Sequence, residues 1–162
     1  MKKSKPNYQP LLRFLLVVYG LLMLWLLFGR DSGWKEGYSY VELLDMRLSV
    51  RPLRTIQNYW YVIQNHPGTE SWTHCVINLI GNVILFIPLG WLIPWVFPAQ
   101  RKFIVFFVTC LFFDLLVEVV QLLTLLGIFD VDDVLLNMSG LLLGFLGYRL
   151  THRAPKKKKR NK

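Results

Sequence analysis

The chain is poor in the chemistry that marks a soluble enzyme. Two cysteines, Cys75 and Cys110, in 162 residues exclude a disulfide framework, and two thiols alone do not make a metal site. Their expected depths differ too much for a bridge, and they read as small apolar residues. No H-E-x-x-H, G-x-S-x-G or P-loop motif occurs. That removes zincin-type hydrolysis, the hydrolase nucleophile elbow and the nucleotide phosphate cradle. Charged residues make up only 18% of the chain. The periodic alternation by which a soluble domain distributes its apolar residues is also missing, because here they come in blocks.

What is present is hydrophobic length. Four blocks, 11–28, 75–97, 103–126 and 134–150, reach or approach the ~20 residues that cross a bilayer. The expected fold class is therefore all-α: a polytopic membrane protein with four transmembrane helices in one bundle, at 11–29, 75–97, 103–126 and 133–150. An N-terminal segment, 1–10, precedes the first helix. A loop, 30–73, joins the first two helices, and a basic tail, 151–162, follows the last. The first block follows Lys2, Lys3 and Lys5, as a signal peptide would. But Gly29, Arg30, Asp31 and Ser32 offer no A-x-A cleavage site, so it reads as an uncleaved anchor.

Basic residues set the orientation. They flank the first block on its N-terminal side, occupy the second turn as Arg101 and Lys102, and follow the last block. The turn between the third and fourth blocks has none, only Asp130, Asp132 and Asp133. The expectation is a multi-pass plasma-membrane protein with both termini cytoplasmic and the long loop and acidic turn outside. The net charge of +9 then reflects topology. The run Lys156 to Arg160 reads as a tail drawn to anionic lipid at ~1 kcal/mol per basic residue, with no nucleic-acid partner. In the loop, Leu53, Ile56, Trp60 and Ile63 fall at helical spacing among polar residues. They suggest an amphipathic helix on the outer leaflet, or else an aromatic-rich loop packed over the bundle.

Against this background Glu118, Gln121, Asp130, Asp132, Asp133 and Asn137 crowd into 20 residues. A carboxylate in hydrocarbon costs ~2.5–3.5 kcal/mol on insertion scales and marks a candidate site. At 1.5 Å per residue, Glu118 and Asn82 both lie roughly 12 Å below the outer boundary. Gln121, Asn78 and Asn137 lie roughly 6–8 Å below it. Asp114 is one turn deeper than Glu118. Three helices thus offer polar groups at matching depth, which predicts one pocket of Asn78, Asn82, Glu118, Gln121, Asp130, Asp132, Asp133 and Asn137. The same amides and acids also suit helix-to-helix hydrogen bonding with no other role.

The D-x-D-D spacing of Asp130, Asp132 and Asp133 suits a hard divalent cation. It equally suits Asp132 or Asp133 as the N-cap of the fourth helix. Glu118, Asp132 and Asp133 are the candidates for acid–base work. Gly140, Gly144 and Gly147 lie on one face with Asn137. Together with Gly81 they are expected to let helices approach closely, and the G-x-x-x-G at Gly140 and Gly144 could also serve an oligomer contact.

Taken in order, Asn78-Leu-Ile-Gly-Asn82, Leu85-Phe-Ile-Pro-Leu-Gly90, Glu118-x-x-Gln121 and Phe129-Asp-Val-Asp-Asp133 followed by Asn137, Gly140 and Gly144 resemble the VanZ-like family of bacterial membrane proteins, over residues 47–150. Its core would be 74–150. Many members carry Asn-Leu-Ile-Pro-Phe before the stretch that here reads Ser49 to Thr55. Many also carry an Arg where this chain has Gly127-Ile128, so Arg51 or Arg54 is expected to compensate. The resemblance implies a cell-envelope role, and the namesake is linked to low-level resistance to teicoplanin. Three readings follow. The chain binds or processes an envelope lipid or lipopeptide, it is a metal-dependent enzyme on lipid-linked phosphates, or it is a non-catalytic membrane partner subunit.

Overall fold

The computed structural model describes residues 7–29 and 34–152. The basic tail from 153 onward, residues 1–6 and the absent cleavage site at 30–32 lie outside them. The chain order is α1 (Gln9–Phe28), α2 (Tyr40–Met46), β1 (Leu48–Ser49), α3 (Arg54–Asn65), α4 (Glu70–Val96), α5 (Phe103–Leu123), β2 (Phe129–Asp130) and α6 (Val131–Thr151). Four of these, α1, α4, α5 and α6, are long and apolar enough to cross a membrane. The protein is an all-α membrane bundle.

α4 carries the design. It starts earlier than the apolar block predicts, because the Thr69 side chain accepts the Trp72 N–H and caps it. It runs through Pro88 and Pro94 without ending. Proline removes a backbone donor, and Pro98 leaves the Pro94 carbonyl without one. The Arg101 Nε donates to that oxygen at 3.2 Å, and Gln9 Nε2 donates to the Trp95 carbonyl at 3.1 Å. Nearer the middle, the Tyr19 hydroxyl donates to the Leu85 carbonyl at 2.7 Å. These side chains of α1 tie it along α4.

The broadest contact in the fold joins α4 to α6, which are not neighbours in sequence. Glycine explains it. A Cβ at Gly140 would run into the Val83 carbonyl, one at Gly144 into the Ile87 carbonyl, and one at Gly90 into the Leu141 carbonyl. The two backbones therefore meet directly. In the sequence Gly90 figured only as the end of a motif and was not among the glycines expected to pack. Gly81 has nothing within 4 Å of an added Cβ, and Gly147 would make only an ordinary contact, 3.7 Å from Trp91. The Gly140–Gly144 face is occupied within the chain by α4, so a second copy cannot use it while this packing holds. The core beside it stacks Phe106 on Phe145 with ring centroids 4.6 Å apart, among Met23, Phe86, Cys110 and Leu141.

The connection 34–69 folds down over one end of the bundle. α2 carries a capping box in which Ser39 and Glu42 satisfy each other's backbone N–H. The S-x-x-E spacing of Ser39 and Glu42 carries the signature of such a box, although α2 was not among the expected helices. β1 pairs in parallel with β2, and the Phe129 N–H donates to the Arg47 carbonyl at 2.9 Å. Tyr40 donates to the Leu123 carbonyl at 2.7 Å. The loop is thereby stitched to the turn between α5 and α6. α3 is the amphipathic helix expected near residues 53–64, and it packs on α4.

Candidate functional site

The acidic turn divides its labour. Asp130 is the N-cap of α6, its Oδ1 accepting the Asp132 N–H at 2.9 Å. This corrects the expectation that Asp132 or Asp133 would cap. The other oxygen of Asp130 accepts the Thr55 hydroxyl at 2.6 Å. Asp132 is fully buried and faces α3. Its carboxylate accepts the backbone N–H of Leu53, of Thr55 at 2.8 Å and of Ile56 at 3.1 Å. α3 has no cap of its own, and its N-cap Leu53 stands at φ 64°, left-handed. A carboxylate borrowed from α6 fills the role that a local Ser or Asp usually plays, and it meets the positive end of the helix dipole.

That arrangement spends the donor set proposed for a cation. Asp130 and Asp132 point their oxygens at hydroxyl and amide donors. Among the described residues no three His, Cys, Asp or Glu side chains converge to hold a metal ion. The D-x-D-D spacing is a pair of helix caps, and the residues present do not fit a divalent cation.

The remaining polar groups do converge. A cavity of about 350 Å³ opens beneath the loop, lined by Asn78, Asn82, Glu118, Gln121, Asp130, Asp133 and Asn137 together with Arg47, Tyr59 and His74. Of the eight residues expected to share one pocket, only Asp132 is outside its lining. Asn82 Nδ2 donates to Asp133 Oδ1 at 2.7 Å, joining α4 to α6. Gln121 Nε2 donates to the Leu27 carbonyl at 2.9 Å, joining α5 to the end of α1. Glu118 is 3% exposed and receives the Asp130 N–H at 3.4 Å. Below it, Asn137 Nδ2 donates to Asp114 Oδ1 at 3.0 Å. The other oxygens of that pair, Asp114 Oδ2 and Asn137 Oδ1, are buried with no hydrogen-bond partner.

Three pocket residues escaped the sequence reading. Arg47 looked like one of the loop's topological charges. Its Nη1 donates to the carbonyls of Leu125 and Gly127, both at 3.0 Å, and it reaches the pocket. Arg51 and Arg54, expected to compensate for a missing Arg, are exposed, and neither lines the pocket. His74 was legible in principle, since 74, 78 and 82 share one helical face. Tyr59 meets the His74 ring edge-on at 6.3 Å, and only the docking of α3 on α4 brings them together.

The site offers amide, guanidinium and imidazole donors opposite carboxylates. Among the described residues, no Ser, Thr or Cys lines it. What the fold defines is a four-span membrane protein with a polar pocket set at one end of its bundle. The family model described as VanZ/LLP1 matches residues 15–152, and the chain belongs to this family. No curated protein and no solved structure matches it.

Proposed function

We propose that this protein resides in the plasma membrane with both termini cytoplasmic and binds the polar head of an envelope lipid or lipopeptide at the outer leaflet, contributing to tolerance of glycopeptides such as teicoplanin. The observation that carries the reading is the convergence of Asn78, Asn82, Glu118, Gln121, Asp133 and Asn137 from three helices on one cavity. Asn82, Gln121 and Asn137 each bond to another helix, yet the set still leaves about 350 Å³ open. That volume lies within the range of small-molecule sites, ~300–1,000 Å³. The lack of basic residues in the acidic turn supports the outward orientation.

The reading favours binding over lipid-phosphate hydrolysis, because Asp130 and Asp132 are engaged in capping. Glu118 and Asp133 are the residues through which a ligand would be held. The test is the teicoplanin susceptibility of cells carrying Glu118→Gln or Asp133→Asn at wild-type membrane abundance. Both variants are expected to lose the protection that the wild-type chain gives. Unchanged protection in both overturns the reading.

A further inference from the structure

A second cavity adjoins the first. It holds about 690 Å³ and is lined mainly by apolar side chains of α1, α4, α5 and α6, with Phe97 and Gln100 from the turn between α4 and α5. It exists because α1 lies along α4 and scarcely meets α5. On α1 it follows Val17 to Leu27, and along α4 and its C-cap Phe86 to Phe97. Each stretch is roughly 15 Å at the helical rise. The helices are antiparallel, with Tyr19 bonded to the Leu85 carbonyl and Gln9 to that of Trp95. The two stretches therefore follow one another along the bundle, and the groove covers most of a ~30 Å hydrocarbon layer.

Two observations join this groove to the polar pocket. Leu27 lines both cavities. The Asp114–Asn137 hydrogen bond spans them, since Asn137 lines the pocket and Asp114 lines the groove. Asp114 is 4% exposed and is the carboxylate in a mainly apolar wall that also includes Gln100 and Thr109, with its Oδ2 lacking a donor. A buried acceptor without a partner is costly, and a purely hydrocarbon occupant leaves it so.

We propose that the groove between α1 and α5 holds the hydrocarbon chain of a membrane amphiphile whose head occupies the polar pocket, and that the junction of head and chain carries a hydroxyl or amide N–H facing Asp114. The proposal rests on the head-binding reading above and names the class of ligand: a lipid that reaches the site sideways from the bilayer.

Gly20 provides the test. It lines the groove, and an added Cβ there meets nothing within 4 Å. Gly20→Phe thus fills the space without touching a backbone, and Val17→Trp fills it from a second position. The probe is a monoacylglycerol carrying a diazirine in its chain, in phosphatidylethanolamine–phosphatidylglycerol vesicles containing the full-length protein. The comparison probe is a diazirine alkane without hydroxyls. We expect monoacylglycerol label to concentrate on peptides with Thr109, Phe113 and Leu141, over the lipid-facing Phe14 and Val18. It should fall about tenfold in both filling variants, while the alkane labels all apolar faces alike.

Equal labelling of groove and outer faces, or wild-type groove labelling in both variants, overturns the proposal. The two readings fail separately. If Glu118→Gln abolishes glycopeptide protection while both filling variants label as wild type, the pocket stands and the chain site falls. If the filling variants block labelling while Glu118→Gln and Asp133→Asn protect normally, the groove stands and the head-binding reading falls.

Discussion

Replacing Asp132 with alanine should release α3 from the bundle. The carboxylate is fully buried and accepts three backbone N–H groups at the start of a helix with no other cap. Each orphaned donor costs ~1 kcal/mol or more, and losing the charge at the helix N-terminus adds ~0.5 kcal/mol. Water reaching the exposed flank at Leu53 and Arg54 recovers part of this, so the local loss is set at about 3 kcal/mol. With ~1.4 kcal/mol per factor of ten, amide exchange at Thr55 and Ile56 should quicken about a hundredfold. Asp132→Asn keeps one acceptor and should show about half the free-energy effect. Hydrogen exchange read by mass spectrometry in lipid nanodiscs measures it, with Ser139→Ala, whose hydroxyl bonds within α6 to the Leu135 carbonyl, as the control that leaves α3 unchanged. An acceleration of less than about threefold in Asp132→Ala would refute the assignment of Asp132 as a cap in trans.

Gly144→Ala should push α4 from α6, because its Cβ meets the Ile87 carbonyl. Overpacking of this kind costs ~1–3 kcal/mol, read as a lowered unfolding temperature in detergent. Gly81→Ala has open space and should be neutral or slightly stabilising, up to ~1 kcal/mol. Arg47→Ala removes two donors from the Leu125 and Gly127 carbonyls. It should speed proteolysis within the α5–α6 turn severalfold, whereas Arg51→Ala leaves it unchanged. The Ser39 backbone N–H, and then its hydroxyl, hold the Glu42 carboxyl below its ordinary range. Its contribution is therefore complete above the unfolded value, ~4.3, and is lost as pH falls through the folded one. Exchange at Val41 to Leu44 should rise on acidification below that range, and Glu42→Gln should abolish the pH dependence.

The bundle was readable because hydrocarbon length is a local property. Each span announces itself within its own residues, and helical rise alone brought Asn82 level with Glu118. The division among the three aspartates was not readable. Asp130 and Asp132 differ by which partner the fold delivers, and Thr55 and the start of α3 lie more than seventy residues away in the chain. Gly90 escaped for a similar reason. Lying between Pro88 and Pro94, it gave no stripe of its own, and its role depends on Leu141 arriving from α6. Arg47 resembled its neighbours Arg51 and Arg54 until the short parallel pairing of Leu48–Ser49 with Phe129–Asp130 drew it alone over the cavity.

The backbone contact between α4 and α6 also governs how the protein is made. α6 is the least apolar of the four spans, with a mean hydropathy of 1.3 against 2.1 to 2.5 for the others. It is also the last of them to leave the ribosome. Its partner α4 is released two spans earlier and must wait in the bilayer with Gly90 uncovered while α5 crosses. The assembled core cannot close until synthesis reaches Gly144. A pause in synthesis between α5 and α6 would therefore prolong the time for which that close-packing surface of α4 stands uncovered.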